Sequence, residues 1–324
     1  VRRKNRRGQL RVRHNKHRAI KGAAEIKKLY GRSNAPLNFY KGFFNMLKKF
    51  YKMQGIGNDY IYFDCMNGEL ENTEELAIKL SDRHFGIGGD GIILLCPSKI
   101  ADCRMRMFNL DGSEGKMCGN GIRCIGKLAH DLGYVKGEKI TVETLSGIKK
   151  LDLHLGEDGK VSSVKVDMGA PILRAGDIPS TLSGEKVVNF PVEVEGRSFN
   201  ITLVSMGNPH CVIFEDPDSV GLEHYGPIFE RLSLFPERIN TEFVKVIGKN
   251  KLKMRVWERG SGETLACGTG ACASAVAAVL GGLCDKNTEI AVELLGGELR
   301  ITYTDETVYM EGPATLVFTG EVEI

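Results

Sequence analysis

The stretch MRMFNLDGSEGKMCGNG at 105–121 recurs as MRVWERGSGETLACGTG at 254–270, displaced by 149 positions without a gap. Met105 falls on Met254, Arg106 on Arg255, Phe108 on Trp257, Glu114 on Glu263, Cys118 on Cys267, Gly119 on Gly268 and Gly121 on Gly270. A second echo, at a displacement of 150, puts Gly57-Asn58 on Gly207-Asn208. Self-similarity at one long period is the mark of a duplicated structural unit. It restricts the fold to two halves related by a pseudo-two-fold axis, each delivering strand, loop, Cys-Gly-x-Gly and helix to the same place. Cys118 and Cys267 are then expected to face each other across a shared cleft.

Between the repeats, short strands alternate with a few helices. DYIYFDC, GIILLC and CRMRMFN read as strands from their β-branched and aromatic content, while Thr73 to Arg83 and Asn120 to Leu132 read as helices, the second closed near Gly133. ITVETLSG, KKLDLHL, VSSVKVDM, KVVNFPVEVEG and FNITLVSM make a strand-rich middle. KMRVWER as a strand and Gly270 to Gly281 as a helix repeat the earlier scheme. The class is α+β, and 324 residues, 42% of them hydrophobic, suffice for two cores.

The net charge of +3 hides two unlike parts: residues 1–45 hold fourteen Lys/Arg against Glu25, leaving everything from Met46 onward acidic. A basic arm suggests nucleic acid, but VRRKNRRGQLRVRHNKHRAIKG has no apolar period. Residues 1–45 are therefore read as a mis-assigned start, an added segment or a disordered tail. Neither nucleic acid nor membrane is expected as a partner of the body: no run approaches the roughly 18 to 20 apolar residues of a span. The nine cysteines include no C-x-x-C pair and no metal-type spacing with histidine. Reduced thiols and a cytoplasmic location follow as expectations.

Each repeated cysteine precedes Gly-x-Gly and a helical run, placing its sulfur at a helix N-terminus. Unpaired N–H groups and the positive dipole end favour a thiolate there, which predicts a lowered thiol pKa. The same amides suit a carboxylate. Two such helix ends at one cleft would hold one carboxylate with a sulfur on each side of the attached carbon. One thiolate could then remove a proton from one face while the other thiol returns one to the opposite face. No cofactor or metal is called for, since the amides can stabilise the developing negative charge. Two rival readings are weaker. Gly268-x-Gly270-x-x-Ala273 and Gly86-x-Gly88-x-x-Gly91 match a dinucleotide fingerprint, but the first follows a polar loop and the second leads into a strand. A Cys/His nucleophile using His210 leaves the second cysteine unexplained.

NLDGSEGKMCGNGIR and ERGSGETLACGTGACA, together with KMQGIGNDY, DRHFGIGGDG, SMGNPHCV, ERINTEF and GPATLVFTGEV, resemble the motifs of diaminopimelate epimerases, in that family's order, over 46–324. The resemblance implies two pseudo-symmetric domains, each a curved, mainly antiparallel sheet around a central helix: 46–165 with 311–324, and 166–310. It implies interconversion of LL- and meso-diaminopimelate without pyridoxal phosphate, on the lysine and cell-wall route. By position, Cys118 and Cys267 become the proton donor and acceptor, and Gly119-Asn120 and Gly268-Thr269 hold the reacting carboxylate. Asn58, Asn109, Asn208, Asn240 and Glu258-Arg259 recognise the rest of a zwitterionic substrate, while His210 and Glu258 tune the thiols. A homodimer with Phe318 near the contact is also implied. Some relatives carry glutamine where this chain has Gly91, so the contact that glutamine makes is either absent here or supplied by backbone. The nearest alternative, a proline or hydroxyproline racemase of the same fold, has no use for a charged pair like Glu258-Arg259.

Overall fold

The computed structural model describes residues 47–324; the expectations for residues 1–45 lie outside the described residues. The duplication is written into the strand pairing. Leu47–Gly55 pairs antiparallel with Asn58–Asp64, which runs parallel to Gly91–Cys96. That strand lies antiparallel to Cys103–Asn109, which runs parallel to Lys139–Thr144. Two antiparallel steps then lead through Gly147–Leu155 to Val161–Gly169. The second half repeats this order of antiparallel and parallel steps from Arg197–Ser205 through Pro209–Ile213, Asn240–Gly248, Lys251–Glu258, Glu289–Leu294 and Gly297–Tyr303 to Val308–Pro313.

Parallel neighbours need a crossover, usually helical, and each of the four parallel steps has one. Helices α1 (Thr73–Ser81), α2 (Gly119–Asp131), α3 (Leu222–Glu230) and α4 (Gly268–Leu280) fill these places. The halves join where Val161–Gly169 pairs antiparallel with Val308–Pro313. Beyond that seam the chain exchanges strands. Phe190–Val194 follows the first half yet pairs with Arg197–Ser205 of the second. Thr315–Glu323 follows the second half yet returns to Leu47–Gly55 of the first. All the strands therefore form one continuous, mainly antiparallel sheet.

Helices α2 and α4 are the two centres around which the sheet curves. Residues 119–129 of α2 are buried all round, and α4 is buried almost as completely. A helix buried on every side needs an apolar or small residue at each position, and GTGACASAVAAVL in α4 meets that need with alanine and glycine. In α2 the buried Lys127 is satisfied: it pairs with Asp131 at 2.8 Å and reaches the Val161 carbonyl at 2.6 Å.

The sequence-predicted helices fall within two residues of the observed ones at either end. Helix α3 is the one missed, because Gly226 and Pro227 in its middle argue against a helix locally. Packing overrides that propensity: a Cβ at Gly226 would lie 2.6 Å from the Trp257 ring, so only glycine lets the strand and helix meet. Among the described residues no helix is long and apolar enough to cross a membrane.

Candidate active site

Each cysteine arrives at the cleft on the same local device. The Arg106 guanidinium donates to Glu114 at 2.7 Å, and the repeated Arg255 donates to Glu263 at 2.7 Å. These ion pairs fold the loop between strand and helix back on its own strand, where Phe108 faces Glu114 and Trp257 faces Glu263. The loop then ends at a cysteine in extended conformation that caps the helix. Cys118 Sγ accepts from the Gly121 amide at 3.3 Å, and Cys267 Sγ from the Gly270 amide at 3.4 Å. Both sulfurs occupy the N-cap position usually taken by a serine or aspartate oxygen.

A cavity of about 1220 Å³ contains both cysteines and most of the residues expected at the site. Gly119, Asn120, Gly268 and Thr269 line it with the first turns of α2 and α4. Asn120 ties the halves together, its Nδ2 donating to the Ala266 carbonyl at 3.3 Å, while its buried Oδ1 has no partner. Asn58 and Asn208 line it directly after the repeated glycines, Asn58 opening Asn58–Asp64 and Asn208 just before Pro209–Ile213. Gly57 (φ 89°) and Gly207 (φ 99°) adopt the left-handed conformation that presents each asparagine. The Cys118 thiol donates to Asn58 Oδ1 at 3.3 Å, and Asn58 Nδ2 donates to Asp90 at 2.6 Å. On the other side Cys267 meets the Thr269 hydroxyl at 3.5 Å, and Asn208 Nδ2 donates to that hydroxyl at 3.3 Å. Asn109, Glu258 and Arg259 complete the lining. Glu258 accepts from Thr264 at 2.5 Å, and Arg259 donates to the Glu237 carbonyl at 2.9 Å.

Three expected residues lie outside the lining. Asn240 spends both ends of its amide on backbone, donating to the Pro209 carbonyl at 2.9 Å and accepting from the Arg259 amide at 2.9 Å. It holds Arg259 in place rather than facing the cavity. His210 is wholly buried behind the wall, with Nδ1 2.6 Å from Glu242 and Nε2 3.2 Å from Asn208 Oδ1. Phe318 lies away from the cavity on Thr315–Glu323, half exposed, its ring edge-on to Phe50. At Gly91 a Cβ would stand 2.1 Å from the Phe108 carbonyl oxygen, so a side chain has no room with this backbone.

The thiols correct one expectation. Their helix-end setting predicts a lowered pKa, yet burial pushes both up, outweighing the amide donors Gly121 and Asn120 at Cys118. At Cys267 burial is joined by the carboxylates of Glu258 and Glu242, and the thiol stands well above its ordinary value despite Thr269 and Gly270. Water removal disfavours an anion more than two or three hydrogen bonds favour it. Burial likewise lifts the Glu258 carboxyl above the usual carboxylate range.

Sequence reasoning passed over Glu242, Arg123 and Met310, all fully buried next to the helix ends. Glu242 offers the one available signal, an acid inside the strand NTEFVKVIG whose first five residues are all buried. All nine cysteines are free. Among the described residues no group of three or more His, Cys, Asp or Glu is placed to hold a metal ion.

The sequence pattern of the family described as "Diaminopimelate epimerase" matches residues 50–173 and 202–317, spans that carry both cysteine segments. The chain belongs to the diaminopimelate epimerase family. The diaminopimelate epimerase of Acetivibrio thermocellus is 54% identical over 279 residues, covering 85% of this chain and 99% of its own length. That of Methanococcus maripaludis is 52% identical over 279 residues, covering 85% of this chain and all of its own. Among solved structures, a phenazine biosynthesis protein of the PhzF family from Bacillus anthracis superposes with a TM-score of 0.63 at 18% identity, over 86% of this chain and 100% of that one. A hydroxyproline epimerase from Agrobacterium vitis superposes with a TM-score of 0.59 at 11% identity, over 85% and 91%. At such identities the likeness concerns the fold, and it agrees with two pseudo-symmetric α+β halves.

Proposed function

We propose that this chain interconverts LL- and meso-2,6-diaminopimelate by moving the α-proton between Cys118 and Cys267. The observation that carries the reading is the pairing of two cysteine-capped helix ends on one cavity, supported by the family membership. A substrate carboxylate between the two helix ends takes hydrogen bonds from first-turn amides at Gly119-Asn120 and Gly268-Thr269, which lack intrahelical partners. As the α-carbon loses its proton, charge spreads into that carboxylate, and the same amides stabilise it. The unpartnered Asn120 Oδ1 is available to the substrate ammonium. Arg259, its backbone held by Asn240, and Glu258 recognise the distal amino-acid end, aided by Asn58, Asn109 and Asn208. Entry of the carboxylate displaces cavity water, so proton transfer takes place within a closed, hydrogen-bonded site.

The strand exchange supports a division into two domains, 46–165 with 311–324 and 166–310. The half-exposed apolar run Leu316-Val317-Phe318 on an edge strand supports a homodimer formed there. We assign the reaction to lysine and peptidoglycan-precursor synthesis in the cytoplasm. The test is α-proton exchange in deuterated water, followed by proton NMR with LL-diaminopimelate and, separately, with L-proline. Exchange and inversion of diaminopimelate alone, lost in Cys118→Ala and in Cys267→Ala, is the expected result. Exchange of proline instead, or of neither compound by folded, reduced protein, would sink the reading.

A further inference from the structure

The two repeats agree in backbone and in the cysteine itself, but not in what lies behind it. A Cβ at Gly121 would meet Ile93 Cδ1 at 2.6 Å; at the repeated Gly270 it would meet Glu242 Oε1 at 2.7 Å, with Cys267 Sγ 3.3 Å from the same point. An apolar side chain behind Cys118 thus corresponds to a fully buried carboxylate behind Cys267. The converse holds one turn along each helix, where Arg123 in α2 corresponds to Cys272 in α4. Arg123 is fully buried and has no carboxylate partner: Nη1 donates to the Gly119 carbonyl at 3.2 Å, Nε to the Pro313 carbonyl at 3.2 Å, and Nη2 is unpartnered. Glu242 Oε2 is likewise buried without a partner. A buried charge without an opposite partner is costly; Arg123 has none, Glu242 has only His210 through Oε1 at 2.6 Å, and the two stand at non-equivalent places in a duplicated frame.

We propose that Arg123 and Glu242 are positioning charges that break the equivalence of the two cysteines, so that in the empty cleft Cys118 ionises at a lower pH than Cys267. This rests on the two-thiol reading above. Glu258 acts in the same sense as Glu242: it opposes ionisation of both thiols, but it is the foremost charge against Cys267 and the least of the influences on Cys118. The remaining ionisable groups add no bias. Tyr60 and Tyr62, which face Cys118 from Asn58–Asp64, hold their protons well above the ordinary tyrosine range because they are buried. Cys124, behind Cys118, is also kept protonated by burial. His210 pairs with Glu242 through Oε1, the oxygen that stands against Gly270, while its Nε2 meets Asn208 Oδ1.

The test is alkylation of each thiol by iodoacetamide as a function of pH, without substrate, read peptide by peptide by mass spectrometry. Accessibility scales each rate but leaves its pH midpoint unchanged. The Cys118 midpoint is expected about one pH unit or more below that of Cys267, equivalent to about tenfold in thiolate fraction. Glu242→Gln should lower the Cys267 midpoint and leave that of Cys118 in place. Arg123→Met should raise the Cys118 midpoint alone. Coincident midpoints in the unmodified protein, a lower midpoint for Cys267, or a Cys267 midpoint indifferent to Glu242→Gln would overturn the proposal. The first two outcomes are readable even if neither variant folds. Absence of diaminopimelate exchange would instead remove the function while leaving these midpoints interpretable.

Discussion

Met310 is the side chain on which both helix ends rest. Its Cε lies 2.9 Å from the point a Cβ would occupy on Gly119, and its Sδ 3.0 Å from the same point on Gly268. The sulfur also stands 3.7 Å from Arg123 Nη1. Met310 is fully buried, so Met310→Ala removes three heavy atoms from a place that two helices, each locked in its sheet, cannot collapse to fill. Large-to-small changes of this kind cost about 2–5 kcal/mol. With both neighbours glycine backbone, which has no side chain to move into the void, the upper half of that range applies, about 3–5 kcal/mol. At about 2–4 °C per kcal/mol for a body of this size, the midpoint of thermal unfolding should fall by roughly 6 to 20 °C. Because the void lies beneath both first turns, exchange measured at 25 °C on the folded variant should fall by similar factors from LL- and from meso-diaminopimelate. Met310→Leu, nearly volume-conserving, should cost less than about 1.5 kcal/mol and retain most activity. The experiment pairs scanning calorimetry with exchange rates in both directions. A Met310→Ala midpoint within about 2 °C of the parent, less than 1 kcal/mol on the same scale, would refute the keystone role. So would a loss confined to one direction.

Three further outcomes are expected. Asn240→Ala leaves the Arg259 amide and the Pro209 carbonyl without their partner, at about 1–3 kcal/mol, and should raise KM more than it lowers kcat; an unchanged KM in steady-state assays would count against its holding Arg259. Burial holds Cys103 and Cys272 at about 12 and Cys124 at about 11, above the roughly 8.5 of an unfolded thiol. Folded values raised in this way stabilise below pH 8.5 or so and lose that contribution as pH climbs toward 11 and 12. Urea midpoints should therefore fall between pH 8.5 and 11, less steeply in Cys124→Ala, and a flat profile would contradict the burial argument. Phe318→Ser should shift the protein to the monomer position in sedimentation velocity without altering the fold, whereas sedimentation identical to the parent's would remove the edge strand from the interface.

What could be read without the structure was local or repeated. Cysteine at a helix N-terminus and the Gly-Asn turns each need only neighbouring residues, and their recurrence at displacements of 149 and 150 identified the site; the Arg106–Glu114 and Arg255–Glu263 clamps repeat with them but show only in the structure. The α+β class and the long central helices were legible for the same reason. Helix α3 was not, since local propensity opposed it and only the Trp257 ring against Gly226 explains it.

The sequence by itself thus determined the duplicated frame, the two cysteines and most of the cavity wall. Tertiary structure decided what depends on distant chain segments. Met310 reaches helix ends that begin at Gly119 and Gly268, and Thr315–Glu323 closes the sheet at Leu47–Gly55. Neither pairing leaves a periodic trace. The sign of the thiol shifts was settled there too, because a dipole end is visible in a motif whereas the depth of burial that outweighs it is a property of the packed whole. The same is true of Arg123 and Glu242, ordinary charged residues in the sequence that become a matched asymmetry only when the two repeats are superposed in space.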